Sequence, residues 1–235
     1  MRHDGRLNNE IRKIEVIHDF LIHADGSVLI KQGNTWVLCA VTIEDDVPPF
    51  IEDETGWITA EYAMLPCSAN TRIPRESRTG KVKGRTMEIQ RLIGRSLRAV
   101  TDLSLLGRRT IRVDCDVIQA DGGTRTASIT GAYLALKDAI KKLIKEGILE
   151  NDPLIDSVAA ISVGVVDDEV IVDLDYQEDS SAKMDANFIL TGKGRIVEIQ
   201  ATAEDSPIDW LLWDKICVLG IEGVKAVLKS VGLKD

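Results

Sequence analysis

Asp121-Gly122-Gly123-Thr124-Arg125-Thr126 stands between a strand pattern and a helix pattern, and its reading decides the fold. Upstream, over residues 109–119, Ile111, Val113, Cys115 and Val117 alternate with Arg112, Asp114 and Asp116, the period of two that a half-buried strand requires. Downstream, residues 127–148 read as a helix stopped by Gly147, with Pro153 beyond it. Strand, Gly-Gly turn and helix N-terminus in that order gather free backbone N–H groups and the positive end of a helix dipole, which attract an anion. Thr124 and Thr126 add hydroxyl donors, and Arg125 adds a bidentate cationic clamp. The stretch fits neither G-x-x-x-x-G-K-[ST] nor G-x-G-x-x-G, so ATP and dinucleotide binding lose support. A phosphate site and a plain tight turn with a Thr cap stay equally open from the motif alone.

Working outward, residues 27–31 and 35–43 are rich in Val, Ile, Leu and Thr and flank a Gly33-Asn34 turn, which reads as a hairpin. An acidic connection over 44–54, a strand-like piece over 57–65 and a Gly/Pro/Ser/Thr loop over 66–84 follow. Over 85–106, Ile89, Leu92, Ile93, Leu97 and Val100 recur at helical spacing, with Arg91, Arg95 and Arg98 on another face. After the second helix come four short strands near 159–166, 169–176, 185–191 and 195–203, with turns at Asp167-Asp168 and Gly192-Lys193-Gly194. A last helix is expected over 210–231. The order predicts an α+β fold, one domain over 1–235 built of two pseudo-repeated β-plus-α halves, mixed sheets packed with helices.

The composition of the 235 residues, 44% hydrophobic and 29% charged, is that of a globular chain with a large core. No apolar run reaches the ~20 residues of a membrane helix, and a cytoplasmic location without membrane association is expected. Cys39, Cys67, Cys115 and Cys217 are far apart, and only three histidines accompany them, which argues against zinc and structural disulfides. The net charge of −9 hides an asymmetry. Residues 72–112 hold twelve Lys or Arg against three Asp or Glu, +9 in that stretch and −18 in the remainder. An acidic chain with one basic segment can hold a polyanion at a defined place, although from composition alone a solvated basic helix is the simpler reading.

Asp173, Asp175, Glu178, Asp179 and Asp185 form a carboxylate cluster. On strand geometry Asp173 and Asp175 share a face, and Asp179 and Asp185 flank a Ser-Ser-Ala turn and could face one another across a strand pair. Oxygen-only ligands suit Mg²⁺ or Mn²⁺ meeting a substrate phosphate; solvated hairpin charges are the simpler reading. His3, His18 and His23 show no spacing with a nucleophile, and no G-x-S-x-G is present. Trp210 and Trp213 read as core or subunit-interface anchors. Aromatic residues make up only 4% of the chain, too few for extensive base stacking.

Taken together, Gly26-Ser27-Val28-Leu29-Ile30 with Gly33-Asn34-Thr35, the run Gly84-Arg85-Thr86-Met87-Glu88-Ile89-Gln90-Arg91-Leu92-Ile93-Gly94-Arg95, the Asp121 to Thr126 stretch, and Asp173-Leu174-Asp175-Tyr176 leading to Asp179 and Asp185 resemble the bacterial ribonuclease PH family. Polynucleotide phosphorylase and the exosome ring are relatives of that family. The resemblance covers nearly the whole chain and implies a ribosomal protein S5 domain 2-like fold. It further implies a phosphorolytic 3′-to-5′ exoribonuclease, a nucleotidyltransferase in which inorganic phosphate, as co-substrate, releases nucleoside diphosphates from tRNA precursors. Arg85, Gly123, Thr124 and Arg125 would bind the phosphate. Asp179 and Asp185 would be catalytic and hold Mg²⁺, with Mn²⁺ an alternative. Arg72, Arg75, Arg78 and Arg91 would bind RNA, and the chain would assemble as a homo-hexamer, a trimer of dimers. The rival readings are a non-catalytic RNA-binding ring subunit of an exosome-like assembly and a hydrolytic metal-dependent nuclease.

Overall fold

The alternating stretch becomes β5 (Thr110–Gln119), an interior strand of a five-stranded sheet that also contains β1 (Ile14–His18), β2 (Gly26–Gln32), β3 (Thr35–Glu44) and β4 (Trp57–Met64). In this computed structural model, residues 2–204 and 206–233 are described. The strand order is β1-β2-β3-β5-β4; every pairing is antiparallel except β4 with β5. Val28, Ile30, Val37, Cys39, Val41, Val113 and Cys115 are buried from the inner face, as the period of two requires. Above them lie α2 (Gly84–Arg98), packed on β4, and α3 (Thr124–Lys145), packed on β2, β3 and β5. Each fully buried Leu or Ile in this layer contributes roughly 1.5–3 kcal/mol.

The second sheet has the order β7-β6-β8-β9, formed by β6 (Val158–Val166), β7 (Glu169–Val172), β8 (Met184–Thr191) and β9 (Ile196–Ala203), all antiparallel. Helix α5 (Trp210–Ser230) covers β6, β7 and β8, while α3 also reaches β6. Contact with both helices explains why eight of the nine residues of β6 are buried and why its sequence lacks alternation. The architecture is thus α+β in two β-plus-α halves, with α3 shared between them. No helix among the described residues is long and apolar enough to cross a membrane.

Several elements depart from the sequence expectation. The helix expected over 85–106 stops at Arg98. There Ala99 N–H bonds Arg95 O and Val100 N–H bonds Leu97 O, tightening the end, and a separate 3-10 turn (Leu103–Leu106) starts where Asp102 caps Ser104. The strand expected over 169–176 ends at Val172, because Asp173 adopts φ 56° and Asp175 then caps a short helix, α4 (Tyr176–Ser181). Asp173 and Asp175 therefore do not share a strand face. The loop over 66–84 contains one helical turn, α1 (Glu76–Thr79). All four cysteines are free thiols, Cys39 lying directly opposite Cys115 in the β3–β5 register. Trp213 stacks on Phe188 at 6.2 Å between ring centroids, whereas Trp210 is exposed and no core anchor.

Candidate active site

The Gly-Gly turn is shaped from behind. Gly122 and Gly123 take φ +71° and +67° in succession, a conformation that costs an L side chain. A Cβ on Gly122 would lie 2.5 Å from the Leu174 carbonyl oxygen and 2.6 Å from the Asp175 carbonyl carbon, so the turn is pressed against the chain entering α4. Arg12 Nη1 donates to the Asp121 carbonyl at 2.5 Å, and the Thr35 hydroxyl donates to the Gly122 carbonyl at 2.6 Å. With these carbonyls drawn backward, the first N–H groups of α3, which have no partner within the helix, open forward.

Thr124 begins α3 and accepts a hydrogen bond from the Tyr62 hydroxyl at 2.9 Å. Burial pushes the Tyr62 phenol above its ordinary range against the pull of Thr124 and the nearby Arg85 and Arg125, so it stays a neutral donor. Arg125 donates to the Gln200 Oε1 at 2.8 Å and stands 3.8 Å from Glu88. Gln200 in turn donates to Glu88 at 2.7 Å and Glu198 at 2.9 Å, which aims the guanidinium from β9 and α2 together. Arg85, exposed in the first turn of α2, makes no hydrogen bond or ion pair among the described residues.

Opposite these cations lie Asp179 on α4 and Asp185 on β8. Burial raises the Asp179 carboxyl, with Arg85, Arg125 and Arg12 pulling it back. Burial and then the Asp179 charge raise Asp185, again opposed by Arg125 and Arg85. Two partly desolvated carboxylates that repel each other form an oxygen-only donor pair, and a hard divalent cation such as Mg²⁺ relieves that repulsion. The residues present fit such an ion. They meet from a helix and a strand, not across the strand pair that the spacing suggested.

Arg85, Gly123, Thr124, Arg125, Asp179 and Asp185 all line one cleft of about 1260 Å³. Thr71 and Ile73 line it too, which puts the intervening Arg72 at its rim; Arg72, Arg75 and Arg78 are exposed and outside the lining. Arg91 is exposed on α2, also outside it. The cationic face expected from Arg91, Arg95 and Arg98 is partly satisfied internally. Arg95 Nε donates to Glu198 at 2.7 Å, while Arg98 donates to the Ile58 carbonyl at 2.7 Å and sits 4.4 Å over Trp57.

Arg12, Tyr62 and Gln200 are the parts that sequence reasoning missed. Tyr62 carries a recoverable signal, a hydroxyl-bearing ring at a core position of the alternating strand β4, which needs a buried partner. Arg12 sits in a polar stretch without periodicity, and nothing local announces its role.

Cationic side chains and the start of α3 facing a carboxylate pair in one cleft are an arrangement suited to phosphodiester chemistry. The sequence matches the 3′ exoribonuclease family in two parts, domain 1 over residues 10–142 and domain 2 over 156–211. It is 54% identical over 232 residues to ribonuclease PH of Bacillus velezensis, spanning 98% of this chain and 95% of that one. To ribonuclease PH of Bacillus subtilis it is 60% identical over 208 residues, 88% of this chain and 85% of the other. Among solved structures it resembles a chain of the Archaeoglobus fulgidus exosome with RNA bound to the active site (TM-score 0.83, 23% identity, 98% of this chain and 92% of that one). Rice (Oryza sativa) Rrp46 is similar too (TM-score 0.77, 22% identity, 97% of both chains). These two likenesses concern the fold. The chain belongs to the 3′ exoribonuclease family, and its activity is phosphorolytic 3′ exonucleolysis, a phosphate-dependent nucleotidyl transfer.

Proposed function

We propose that this cleft is the phosphorolytic centre, and that it trims the 3′ ends of tRNA precursors in the cytoplasm. The carrying observation is that the cations of the turn and of α2 share one cleft with the Asp179–Asp185 pair. Inorganic phosphate is held by Arg85, the Gly123 and Thr124 N–H groups and Arg125, which offset the repulsion between two anions brought into contact. A phosphate oxygen then bonds to the terminal phosphorus as the bond from phosphorus to the preceding 3′ oxygen breaks. The last nucleotide leaves as a diphosphate, and the 3′ oxygen takes a proton. Asp179 and Asp185 assist that proton transfer. Mg²⁺ on Asp179 and Asp185, when bound, supplies charge neutralisation at the reacting phosphoryl group. Because phosphate replaces water, the step is nearly reversible and can extend a 3′ end from diphosphates.

Arg72, Arg75, Arg78 and Arg91 serve as RNA contacts outside the cleft, Arg72 at its rim, and a homo-hexameric ring of three dimers would multiply them. The two halves act as one domain, since α3 packs on both sheets. A non-catalytic ring subunit would have no use for both halves of this site. The test is incubation of the protein with a 3′-extended RNA and Mg²⁺, with and without inorganic phosphate. Diphosphates formed only with phosphate support the reading; monophosphates formed without it point to hydrolysis instead.

A further inference from the structure

Asp179 rides on α4, six residues long and too short to hold its shape unaided. Its capping box is present: Asp175 accepts from the Glu178 N–H at 3.1 Å, and Glu178 accepts from the Asp175 N–H at 3.1 Å. Both cap carboxylates are gripped by residues more than 160 positions earlier. Arg2 donates to Glu178 through Nε at 2.6 Å and Nη2 at 2.5 Å, and through Nη1 to the Val172 carbonyl at 2.7 Å. His3 Nε2 lies 2.6 Å from Asp175 Oδ2, and Arg6 Nη1 donates to the Asp173 carbonyl at 3.0 Å. The Val172 N–H donates to the Asn8 carbonyl at 2.9 Å, so residues 2–12 run alongside the entry to α4.

Arg2, Arg6 and Arg12 thus face Asp173, Asp175 and Glu178, a cluster of three guanidinium groups against three carboxylates in which all but Arg6 are buried. His3, Asp175 and Glu178 offer ligand atoms within 4.8 Å of one another, yet Arg2 and Arg6 already supply the positive charge there, so the cluster is not a metal site. Arg12 also holds the Asp121 carbonyl of the phosphate turn. One segment therefore references both walls of the cleft.

We propose that residues 2–12 form a positioning strap, in which Arg2 and His3 fix α4 and through it set the Asp179 carboxylate against the phosphate turn. This rests on the reading of Asp179 as a catalytic group. None of residues 2–12 lines the cleft; they act through Glu178, Asp175 and Asp173.

Arg2→Ala would take the bidentate partner from buried Glu178, leaving Arg6 at 3.6 Å, and endanger folding, so Arg2→Lys and the half-exposed His3→Gln carry the test. Lys keeps the charge and loses the fork. In Arg2→Lys the kcat for phosphorolysis should fall about tenfold or more while KM for phosphate stays within about twofold, as misplacement of one catalytic group predicts. Amide exchange in the metal-free protein should accelerate over residues 176–182 with the thermal midpoint little moved, and His3→Gln should shift both readouts in the same direction by less. Folded variants with unchanged kcat and unchanged exchange at 176–182 would overturn the strap. So would an exchange increase spread evenly over the chain, which marks a purely structural role. Asp179→Asn measured alongside separates the two assumptions: if it stays active, the assignment of Asp179 fails, while local exchange in Arg2→Lys still reports whether the strap holds α4.

Discussion

Arg12 holds the Asp173 carboxylate through Nε at 3.1 Å and Nη2 at 2.7 Å, and with Nη1 reaches the carbonyl of Asp121. The pair joins the Gly122-Gly123 turn of the first half to the entry of α4 in the second. Asp173 is fully buried and sits at φ 56°, a conformation sustained here by several donors, Gln32 Nε2 at 2.8 Å among them. Arg12→Leu takes the close ion-pair partner from that buried carboxylate and should lower stability by about 3–5 kcal/mol. Denaturant unfolding measures it, and a loss below about 1 kcal/mol would contradict the linkage.

Gly122→Ala places a methyl group 2.5 Å from the Leu174 carbonyl oxygen in a backbone conformation that disfavours it. The turn and the chain before α4 must then separate. The expected outcome is a folded protein, less stable by roughly 1–3 kcal/mol, with KM for phosphate raised and kcat reduced together. Wild-type kinetics would show that the tight approach of these segments is irrelevant to the chemistry.

Tyr62→Phe removes one hydroxyl and leaves Thr124 without its buried donor. A stability loss of about 1 kcal/mol is expected, with a rise of a few fold in KM for phosphate and little change in kcat. Steady-state titration of phosphate at saturating RNA reads this directly. An unchanged KM would remove Thr124 from the phosphate cradle.

Arg72→Gln combined with Arg75→Gln should weaken tRNA binding, flatten its dependence on salt and leave turnover of a short oligonucleotide nearly unchanged. Binding isotherms at several salt concentrations, set beside oligonucleotide kinetics, distinguish a guide from a catalytic contact. Equal losses on both substrates would count against the guide.

Regular elements were legible because their burial is periodic. Ile89, Leu92, Ile93 and Leu97 mark the inner face of α2, and all four are fully buried. The cleft was legible too, since Gly122-Gly123 requires left-handed backbone and Thr124 opens a helix. Illegible were the elements fixed by distant partners. Helix α4 carries a local mark, the Asp175-x-x-Glu178 capping box, but it is anchored by Arg2 gripping Glu178 and Arg12 gripping Asp173, contacts across 176 and 161 positions that no local pattern encodes. Strand β1 escaped notice because Glu15, Ile17 and His18 are exposed and its alternation is broken. Arg98 looks like a surface cation in the helical pattern, yet its guanidinium lies over Trp57 and donates to the Ile58 carbonyl.

The most direct measurement compares Arg125→Ala and Asp185→Asn with the wild type in phosphate-dependent diphosphate release, each with its thermal midpoint. Both variants should fold and both should lose activity by about a hundredfold or more, Arg125→Ala with a raised KM for phosphate and Asp185→Asn with KM little changed. Diphosphate release at the wild-type rate by either folded variant would contradict the assignment of this cleft as the phosphorolytic centre.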